Sequence, residues 1–377
     1  MSPVIRFLIR LAPVVGISAL AVVPAEAIPR FSARYEQHCN LCHVNPTGGG
    51  QRTLYAAQFL VPSEMALIKT KQEDLEKIDP RIGKNLTVGL DLRTLYHRDK
   101  HGEAGYMNFL EMQGTVYLTA QLNDRFLATV ERSLTDTPEA YGLGYIFPYH
   151  GYIKVGRFIP VYGWRFDDHY MFVRSELGFQ PPAHTDVGME IGFSPQRLAV
   201  TLDILNGNRG SILDNNDKSA YAGQALYRLH LGPLGIGVGG SYATNFVTNG
   251  WVTARGPYGY FKAGPVAWEW ETDWLGPNSP ASAGAHHRTE WITSHELSLA
   301  ATPGIDLVAT YDFLDPDIKS TTGTRSRIGG GVQGLIYLFL NLQAMVEHYR
   351  YESNPASDPS VLGTSYTQLE LQVQFLY

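Results

Sequence analysis

The last stretch of the chain, residues 366–377, reads YTQLELQVQFLY and decides the fold class. Leu369, Leu371, Val373 and Phe375 occupy alternate positions, and the residues between them are glutamate or glutamine. Successive side chains of a β-strand point to opposite faces of its sheet. This period of two therefore predicts a strand with one apolar face and one polar face.

The same period of two begins at residue 86 and continues to the end of the chain. Val187, Met189 and Ile191 alternate with polar residues or glycine, while Trp268 and Trp270 alternate with carboxylates. We count sixteen segments of strand length, at residues 86–97, 106–121, 124–134, 141–149, 151–159, 185–194, 197–206, 218–230, 235–246, 252–263, 265–275, 290–301, 304–314, 326–338, 340–351 and 364–377. The pattern predicts an all-β unit.

A soluble antiparallel sandwich would give the same alternation, because only one face of each of its sheets packs on the core. Three features favour a transmembrane barrel instead. Many segments are long enough for a tilted strand to cross a bilayer, and aromatic residues gather near the strand ends. The final strand also ends on an aromatic residue, Tyr377, and is similar to the terminal strand of bacterial outer-membrane proteins.

The connections between the segments alternate in length. Tight ones occur at residues 121–124, 194–197, 232–234, 263–265, 302–304 and 338–340, and longer ones at 100–105, 135–140, 160–184, 207–217, 277–289, 315–325 and 352–363. Bacterial barrels have short periplasmic turns and long extracellular loops. The predicted fold is therefore a porin-like, sixteen-stranded antiparallel transmembrane β-barrel over residues 86–377. Its even strand number places both ends of the barrel on the periplasmic side.

The first 27 residues have the pattern of a secretory signal peptide. Arg6 and Arg10 precede an uncharged apolar run at residues 11–23, and Ala25-Glu26-Ala27 forms a small-x-small cleavage site. The mature chain would then begin at Ile28. A retained membrane anchor is the alternative, but the apolar run is shorter than the roughly 20 residues that a spanning helix needs.

Composition and cysteine usage narrow the class of protein further. Charged residues make up only 18% of the chain and the net charge is −6, with no basic stripe that would indicate nucleic-acid binding. Both cysteines of the chain lie in one motif, Cys39-Asn40-Leu41-Cys42-His43. A disulfide or a redox dithiol needs no histidine after the second cysteine, and a zinc site needs two more ligands nearby. The complete motif predicts one covalently attached haem c, with His43 as the proximal iron ligand.

Residues 28–85 are predicted to form a small cytochrome unit that contains this haem and plugs the barrel. A glycine-rich turn at residues 45–50 lets the backbone pass close to a flat cofactor, and residues 53–60 and 63–77 are predicted helices with Ser63 as an N-cap. A unit of this size has little core apart from its haem, so it should pack against something larger.

The haem motif and the barrel together resemble the fused monohaem cytochrome c–porin proteins, a family that includes outer-membrane oxidases of extracellular ferrous iron. Residues 28–34, IPRFSAR, are similar to the A-x-P-x-F-A run that precedes the haem motif in this family. Residues 44–50, VNPTGGG, differ from the iron oxidases. Residues 155–158 and 163–169 also resemble stretches of porins that accompany extracellular electron-transfer systems. The resemblance implies an outer-membrane electron conduit.

The sequence does not decide which residue is the sixth ligand of the haem iron. Met65 is the leading candidate because it lies in the small unit, although packing between short helices would explain it equally well. His38 directly precedes Cys39 and is not expected to fold over the opposite haem face. The remaining candidates are a water molecule, or a histidine from the barrel if the haem lies inside it: His97, His101 or His169.

Further charged residues are predicted on the loops and in the lumen. Asp167, Asp168 and His169 lie in the longest loop, which can fold inward, and His286, His287 and Glu290 lie near another. Such groups bind divalent iron, but solvated loop charge is the preferred interpretation for both sets. Strand parity points five carboxylates into the lumen: Glu269, Glu271, Asp273, Glu347 and Glu370.

These features predict electron transfer across the outer membrane, between an extracellular donor such as Fe(II) and a periplasmic cytochrome or other carrier. The chain would then act as an oxidoreductase resembling the iron oxidases. The alternatives are a diffusion porin or transport channel gated or docked by its haem unit, a conduit that exports electrons to an extracellular acceptor, and a peroxidase-like enzyme. The last ranks lowest, since no distal Arg–His pair accompanies the haem motif.

Overall fold

The computed structural model describes residues 29–101, 104–134, 138–168, 170–177, 185–247, 250–276, 288–320, 322–352 and 365–377. The predicted signal peptide, residues 1–27, lies outside this part of the chain. No helix in the described residues is both long enough and apolar enough to span a membrane.

The described chain is built mainly from strands that share one sheet. A two-residue strand, β1 (Arg81–Ile82), precedes sixteen longer ones. These are β2 (Leu86–His101), β3 (Ala104–Gln121), β4 (Phe126–Ser133), β5 (Glu139–Phe147), β6 (Gly151–Phe158), β7 (Asp186–Phe193), β8 (Leu198–Leu205), β9 (Ala220–Leu231), β10 (Leu234–Val247), β11 (Gly250–Ala263), β12 (Val266–Gly276), β13 (Glu290–Thr302), β14 (Ile305–Asp315), β15 (Arg325–Tyr337), β16 (Leu340–Tyr351) and β17 (Tyr366–Leu376). All sixteen predicted strands are confirmed, with ends within four residues of those expected.

The sheet closes on itself to form a barrel. Each long strand pairs antiparallel with the next one, and β17 pairs antiparallel with β2, from Leu376 opposite Asp91 to Thr367 opposite Lys100. The short β1 adds to the start of β2, where Arg81 pairs with Thr87. Closure leaves the long strands without a free edge, as a barrel in a membrane requires.

The last strand has the predicted two faces. Leu371, Val373 and Phe375 are exposed on the outer surface, whereas Gln372 and Gln374 are buried in the lumen. The barrel is therefore apolar outside and polar inside, the reverse of a soluble protein and the arrangement expected of a transmembrane barrel.

The alternation of short and long connections is confirmed in most places, with one correction. The connection predicted to be long at residues 100–105 is short, because β2 and β3 continue their ladder until His101 pairs with Ala104. Both ends of the barrel lie together as expected. The backbone of Tyr377 exchanges two hydrogen bonds with Leu90, at 2.7 and 2.8 Å.

The helices of residues 29–85 differ from those predicted. A single π-helix, Ala56–Met65, replaces the end of the first predicted helix and the start of the second, and only a short α-helix, Gln72–Leu75, follows. Ser63 lies inside the π-helix, where its hydroxyl donates to the carbonyl of Phe59, so it is not an N-cap. Pro62 explains the difference, because it has no N–H and its ring would clash with a carbonyl in an α-helix.

An N-terminal helix, Pro29–Tyr35, lies against the inner wall of the barrel. Its Arg30 is ion-paired with Glu296 of β13 at 2.8 Å, and its Arg34 with Asp306 of β14 at 2.8 Å. Both pairs are almost fully buried, so each cation has a carboxylate partner, as buried charges need. These contacts fix the segment just before the cysteine motif inside the barrel.

The outward face of β17 gives a prediction about the membrane. Leu371→Arg at the centre of the strand is expected to cost about 2–4 kcal/mol of folding free energy, because arginine would meet lipid near the bilayer midplane. Phe375→Arg lies one residue from the strand end and should cost about 0–1 kcal/mol, because the interface tolerates charge. Denaturant unfolding in lipid vesicles measures both, and equal costs would contradict a membrane-spanning β17.

Candidate functional site

The cysteine motif lies on the wall of one large cavity in the barrel. The cavity has a volume of about 1340 Å³ and is lined by Cys39, Cys42, His43 and Met65 together with inward-facing residues of the strands. Tight-turn residues also line it, including Gly232, Pro233, Gly264, Pro265, Pro303 and Gly304. The cavity is thus at the turn end of the barrel, and it exceeds the roughly 300–1,000 Å³ of an ordinary small-molecule site.

The two cysteines and the histidine are brought together by one turn of helix. Residues Cys39–Leu41 form a 3-10 turn, and the backbone N–H groups of Cys42 and His43 both donate to the carbonyl of Cys39, at 3.1 and 2.9 Å. Cys39 and Cys42 are not joined by a disulfide. Burial raises the pKa of the Cys39 thiol, and this is partly offset by Arg228 and Arg165.

The imidazole of His43 is held in the state that a metal ion needs. Its Nδ1 lies 3.3 Å from the carbonyl oxygen of Gly50, which can only accept, so Nδ1 carries the proton in this contact. Burial, and then the charge of Arg52, lower the pKa of His43 to about 4, so the ring is neutral at physiological pH. A neutral ring fixed by a carbonyl in this way directs the lone pair of Nε2 outward, which suits iron coordination.

The glycine turn after His43 has the backbone conformation that its sequence predicted. Gly48, Gly49 and Gly50 all have positive φ, at +90°, +74° and +69°. A Cβ on Gly48 would lie 3.4 Å from the sulfur of Cys39. The positive φ values favour glycine at all three positions, and Gly48 lies next to the side chain of Cys39. The residues of the motif and its turn fit a covalently attached haem.

The candidate sixth ligands are placed differently from one another. Met65 is buried, lines the same cavity and belongs to the same apolar cluster as Cys42. The ring nitrogens of His38 contact the carbonyl of Gln196 and the guanidinium of Arg228, at 3.4 and 3.0 Å. His97 is not among the cavity-lining residues and lies beside Asp99 and Glu370. His169 lies outside the described residues, as does the side chain of His101.

The longest loop folds into the barrel, as the sequence allowed. Tyr162, Trp164 and Phe166 are buried, and the loop is hydrogen-bonded to the lumen wall at several points. The hydroxyl of Tyr162 donates to Asp273 at 2.6 Å, and the backbone N–H of Trp164 donates to Glu271 at 2.6 Å. We call residues 159–177 the inward loop. Its residues Gly163, Trp164, Arg165, Phe166, Asp167 and Arg174 form part of the cavity wall.

The preferred interpretation of Asp167 and Asp168 as solvated loop charges is wrong. Asp167 is ion-paired with Arg93 at 2.9 Å, and Asp168 with Arg327 at 2.6 Å, because inward folding takes both carboxylates out of water. In the described part of the chain, no group of three or more His, Cys, Asp or Glu residues is arranged to hold a metal ion. His286 and His287 lie outside this part.

The lumen carboxylates predicted from strand parity are confirmed. Glu269, Glu271, Asp273, Glu347 and Glu370 are all buried inside the barrel. The side chains and backbone groups that these carboxylates contact were not predicted, because parity tells which way a side chain points but not what it meets across the lumen.

The clearest of these missed residues is Arg327 of β15. Its side chain is fully buried and ion-paired with Asp312, Asp168 and Glu347, at 2.6, 2.6 and 3.1 Å. It thereby joins the inward loop to three neighbouring strands. The alternation of Arg327 with Ile328 was the only signal in the sequence that it faces inward.

Gly163 fixes the path of the inward loop and gives a second prediction. It has a φ of +48°, and a Cβ there would overlap the carboxylate of Glu271. Gly163→Ala is expected to cost about 2–5 kcal/mol through backbone strain and overpacking, and to displace the loop. Denaturant unfolding and single-channel conductance measure the two effects.

Gly264→Ala is the matched control for this prediction. Gly264 also has a positive φ, +56°, but a Cβ added there would have no atom of the described residues within 4 Å. Gly264→Ala should therefore lower the free energy of unfolding only by the backbone strain of about 1–2 kcal/mol, and it should leave the conductance unchanged. Equal effects at the two glycines would show that the Glu271 contact does not hold the loop.

Comparison with known proteins identifies the fold. No family model matches the chain, and no curated protein matches it. Solved outer-membrane proteins do match in structure. OmpT of Vibrio cholerae is 13% identical with a TM-score of 0.55 and covers 79% of this chain and 100% of its own. OprB of Pseudomonas putida is 9% identical with a TM-score of 0.58, covering 81% and 96%.

A third match is the anion-selective porin of Comamonas acidovorans, at 9% identity and a TM-score of 0.55, covering 78% of this chain and 99% of its own. At these identities the likeness concerns the fold alone. The chain is a sixteen-stranded barrel of the porin type with a Cys-x-x-Cys-His motif on the wall of its internal cavity.

Proposed function

We propose that this chain is a bacterial outer-membrane protein that transfers electrons through one covalently attached haem c inside a porin-type barrel. The observation that carries the proposal is the position of Cys39, Cys42 and His43 together on the wall of one large internal cavity. A motif of this kind attaches haem in exported proteins. The likeness to solved outer-membrane porins supports the location.

Three residues would hold the haem. Cys39 and Cys42 supply the two thiols for the covalent links, and His43 supplies the proximal nitrogen. The group, when bound, supplies a one-electron redox centre. His43 is oriented by the carbonyl of Gly50, and residues 48–50 line the cavity beside it. Residues 28–85 would then be the cytochrome unit and would plug the turn end of the barrel.

The parts of the barrel around the cysteine motif suggest which electron-transfer partners reach it from each side of the membrane. The cavity is bordered by the tight turns, which in bacterial barrels face the periplasm, so a periplasmic cytochrome or similar carrier is the proposed partner there. The inward loop supplies part of the cavity wall. At the loop end of the barrel the proposed donor is extracellular, and the resemblance to iron oxidases suggests Fe(II) as substrate. Electron transfer in the opposite direction, to an extracellular acceptor, would use the same haem site and the same barrel.

Purified protein in liposomes tests the proposal. With ferrous iron or dithionite outside and an oxidised c-type cytochrome trapped inside, the trapped cytochrome should become reduced only when the chain carries its haem. Liposomes with the haem-free Cys39→Ser/Cys42→Ser variant control for leakage. Haem-loaded protein that reduces no trapped cytochrome, in an orientation verified by protease accessibility, would refute electron transfer across the membrane.

We propose Met65 as the sixth iron ligand. Met65→Leu keeps the volume of this buried side chain, so it should cost less than about 1.5 kcal/mol of stability. It removes the thioether, and the reduction potential of the protein should fall because a methionine ligand raises it. Met171→Leu, at another buried methionine that does not line the cavity, is the control. An unchanged absorption spectrum and potential in Met65→Leu would assign this residue to packing.

The second candidate function is a diffusion porin or transport channel whose N-terminal unit acts as a gate or docking handle. The specific observation in its favour is the structural likeness, since two of the similar structures are described as an anion-selective porin and an outer-membrane channel. Planar-bilayer recordings discriminate between the functions. A steady conductance in wild-type protein favours the channel, whereas conductance that appears only after Arg30→Gln/Arg34→Gln favours a plug released from the wall.

A further inference from the structure

Two arginines of the inward loop face the same cavity as the cysteine motif. Arg165 and Arg174 both line it, and Arg174 is only 8% exposed. The guanidinium of Arg165 donates to the carbonyls of Gly48 and Ile159, at 2.7 and 2.9 Å, and that of Arg174 donates to the carbonyl of Phe166. Every one of these acceptors is a neutral backbone group.

Neither arginine has a carboxylate partner within 4 Å in the described residues, whereas two other arginines of the cavity wall have one. Arg34 and Arg93, which line the same cavity, are paired with Asp306 and Asp167. Two further carboxylates act on Arg174 from beyond ion-pair distance: Asp168, which is bound by Arg327, and Glu271, which accepts from the backbone N–H of Trp164. The carboxylate of Glu139 acts on Arg165 only from beyond ion-pair distance.

The lack of a carboxylate within ion-pair distance in the described residues is most costly for Arg174, because Arg165 is half-buried. Buried charges in proteins are normally paired, and Arg174 feels Arg165 as a like charge. Burial, and then the charge of Arg165, lower the pKa of Arg174 to about 10. In addition, Nε of Arg174 has no hydrogen-bond partner in the described residues. A negatively charged occupant of the cavity would compensate all of these costs at once.

We propose that Arg165 and Arg174 form an oxyanion-binding site that takes a carboxylate or phosphate group inside the cavity. Each guanidinium has five N–H donors in a planar fork that matches the two oxygens of a carboxylate. This proposal rests on the proposed function in one respect: the propionate groups of a haem attached at Cys39 and Cys42 are one source of that carboxylate. A free anion that enters from the turn end is the other.

The site works in the same way with either source. An anion held by a rigid pair of arginines is fixed in position, and its charge is neutralised in a place from which water is partly excluded. If the anion belongs to the haem, the inward loop would help to hold the cofactor in addition to its covalent links. Loop and motif would then form one unit.

The test uses full-length protein with Arg165→Gln, Arg174→Gln and Arg174→Lys. Lys262→Gln is the matched control, since Lys262 also lines the cavity but lies on β11. In haem-loaded protein we expect a lower midpoint potential for both glutamine variants, because a lost cation favours the oxidised iron, and a new pH dependence from the unpaired propionate. Arg174→Lys should retain most of the potential. Resonance Raman propionate bands report the lost hydrogen bonds directly.

A second arm distinguishes the sources. Inorganic phosphate is titrated calorimetrically into haem-loaded protein and into the haem-free Cys39→Ser/Cys42→Ser variant. Phosphate binding to the haem-free protein only, weakened at least tenfold by either glutamine substitution, assigns the site to the propionates. Binding to haem-loaded protein assigns it to a free anion.

The proposal is overturned if the arginine variants match Lys262→Gln in potential, Raman bands and phosphate affinity. A chain that never acquires covalent haem refutes the proposed function instead, and phosphate binding then decides the anion site alone.

Discussion

Arg327→Gln is expected to destabilise the barrel by about 3–5 kcal/mol, the largest effect of any single substitution that the lumen suggests. Arg327 is fully buried and is the common partner of Asp168, Asp312 and Glu347. Glutamine leaves three buried carboxylates without their cation, and their mutual repulsion is no longer offset. The free energy of unfolding in detergent or lipid, from denaturant titration, measures the loss.

The same substitution should also release the inward loop at Asp168, so limited proteolysis within residues 159–177 should become faster. Arg325→Gln is the control, because Arg325 lies on the same strand and is paired with Glu176 at 3.4 Å in an exposed position. Exposed ion pairs contribute about 0–1 kcal/mol. If both variants lose the same stability, the buried network does not hold the loop.

Cys39→Ser/Cys42→Ser is expected to abolish covalent haem completely, because serine hydroxyls do not form the thioether links. The variant should show no haem-stained band on a denaturing gel and no c-type absorption spectrum. The barrel itself should still fold, since the strand ladders do not involve the motif. A heat-dependent shift in electrophoretic mobility checks this.

Asn40→Ala is the control for the cysteine variant. Asn40 lies between the two cysteines, where the attachment chemistry needs no particular side chain. It should keep full haem content. Wild-type protein without covalent haem, produced in a host that matures c-type cytochromes, would contradict the assignment of the motif.

The sequence predicted the strands well because a barrel strand is specified locally. Leu371 and Val373 meet lipid while Gln372 and Gln374 meet the lumen, so the period of two is imposed residue by residue. The helices before residue 86 were predicted poorly. Helical spacing there was weak, and Pro62 turned two expected helices into one π-helix. Met65 was found by its type and position, and no pattern could tell a ligand from a packing residue.

By itself the sequence determined the class of the strands, their number, the inward direction of the lumen carboxylates and the Cys-x-x-Cys-His motif. These depend on neighbouring residues only. The tertiary structure alone decided that the inward loop folds into the lumen and that Arg327 neutralises three carboxylates. It also decided that Arg165 and Arg174 line the cavity with no carboxylate of the described residues within 4 Å. The contacts of Arg327 with Asp168 and of Arg165 with Gly48 join residues more than a hundred positions apart, because closing the barrel through β17 and β2 brings distant parts of the chain around one lumen.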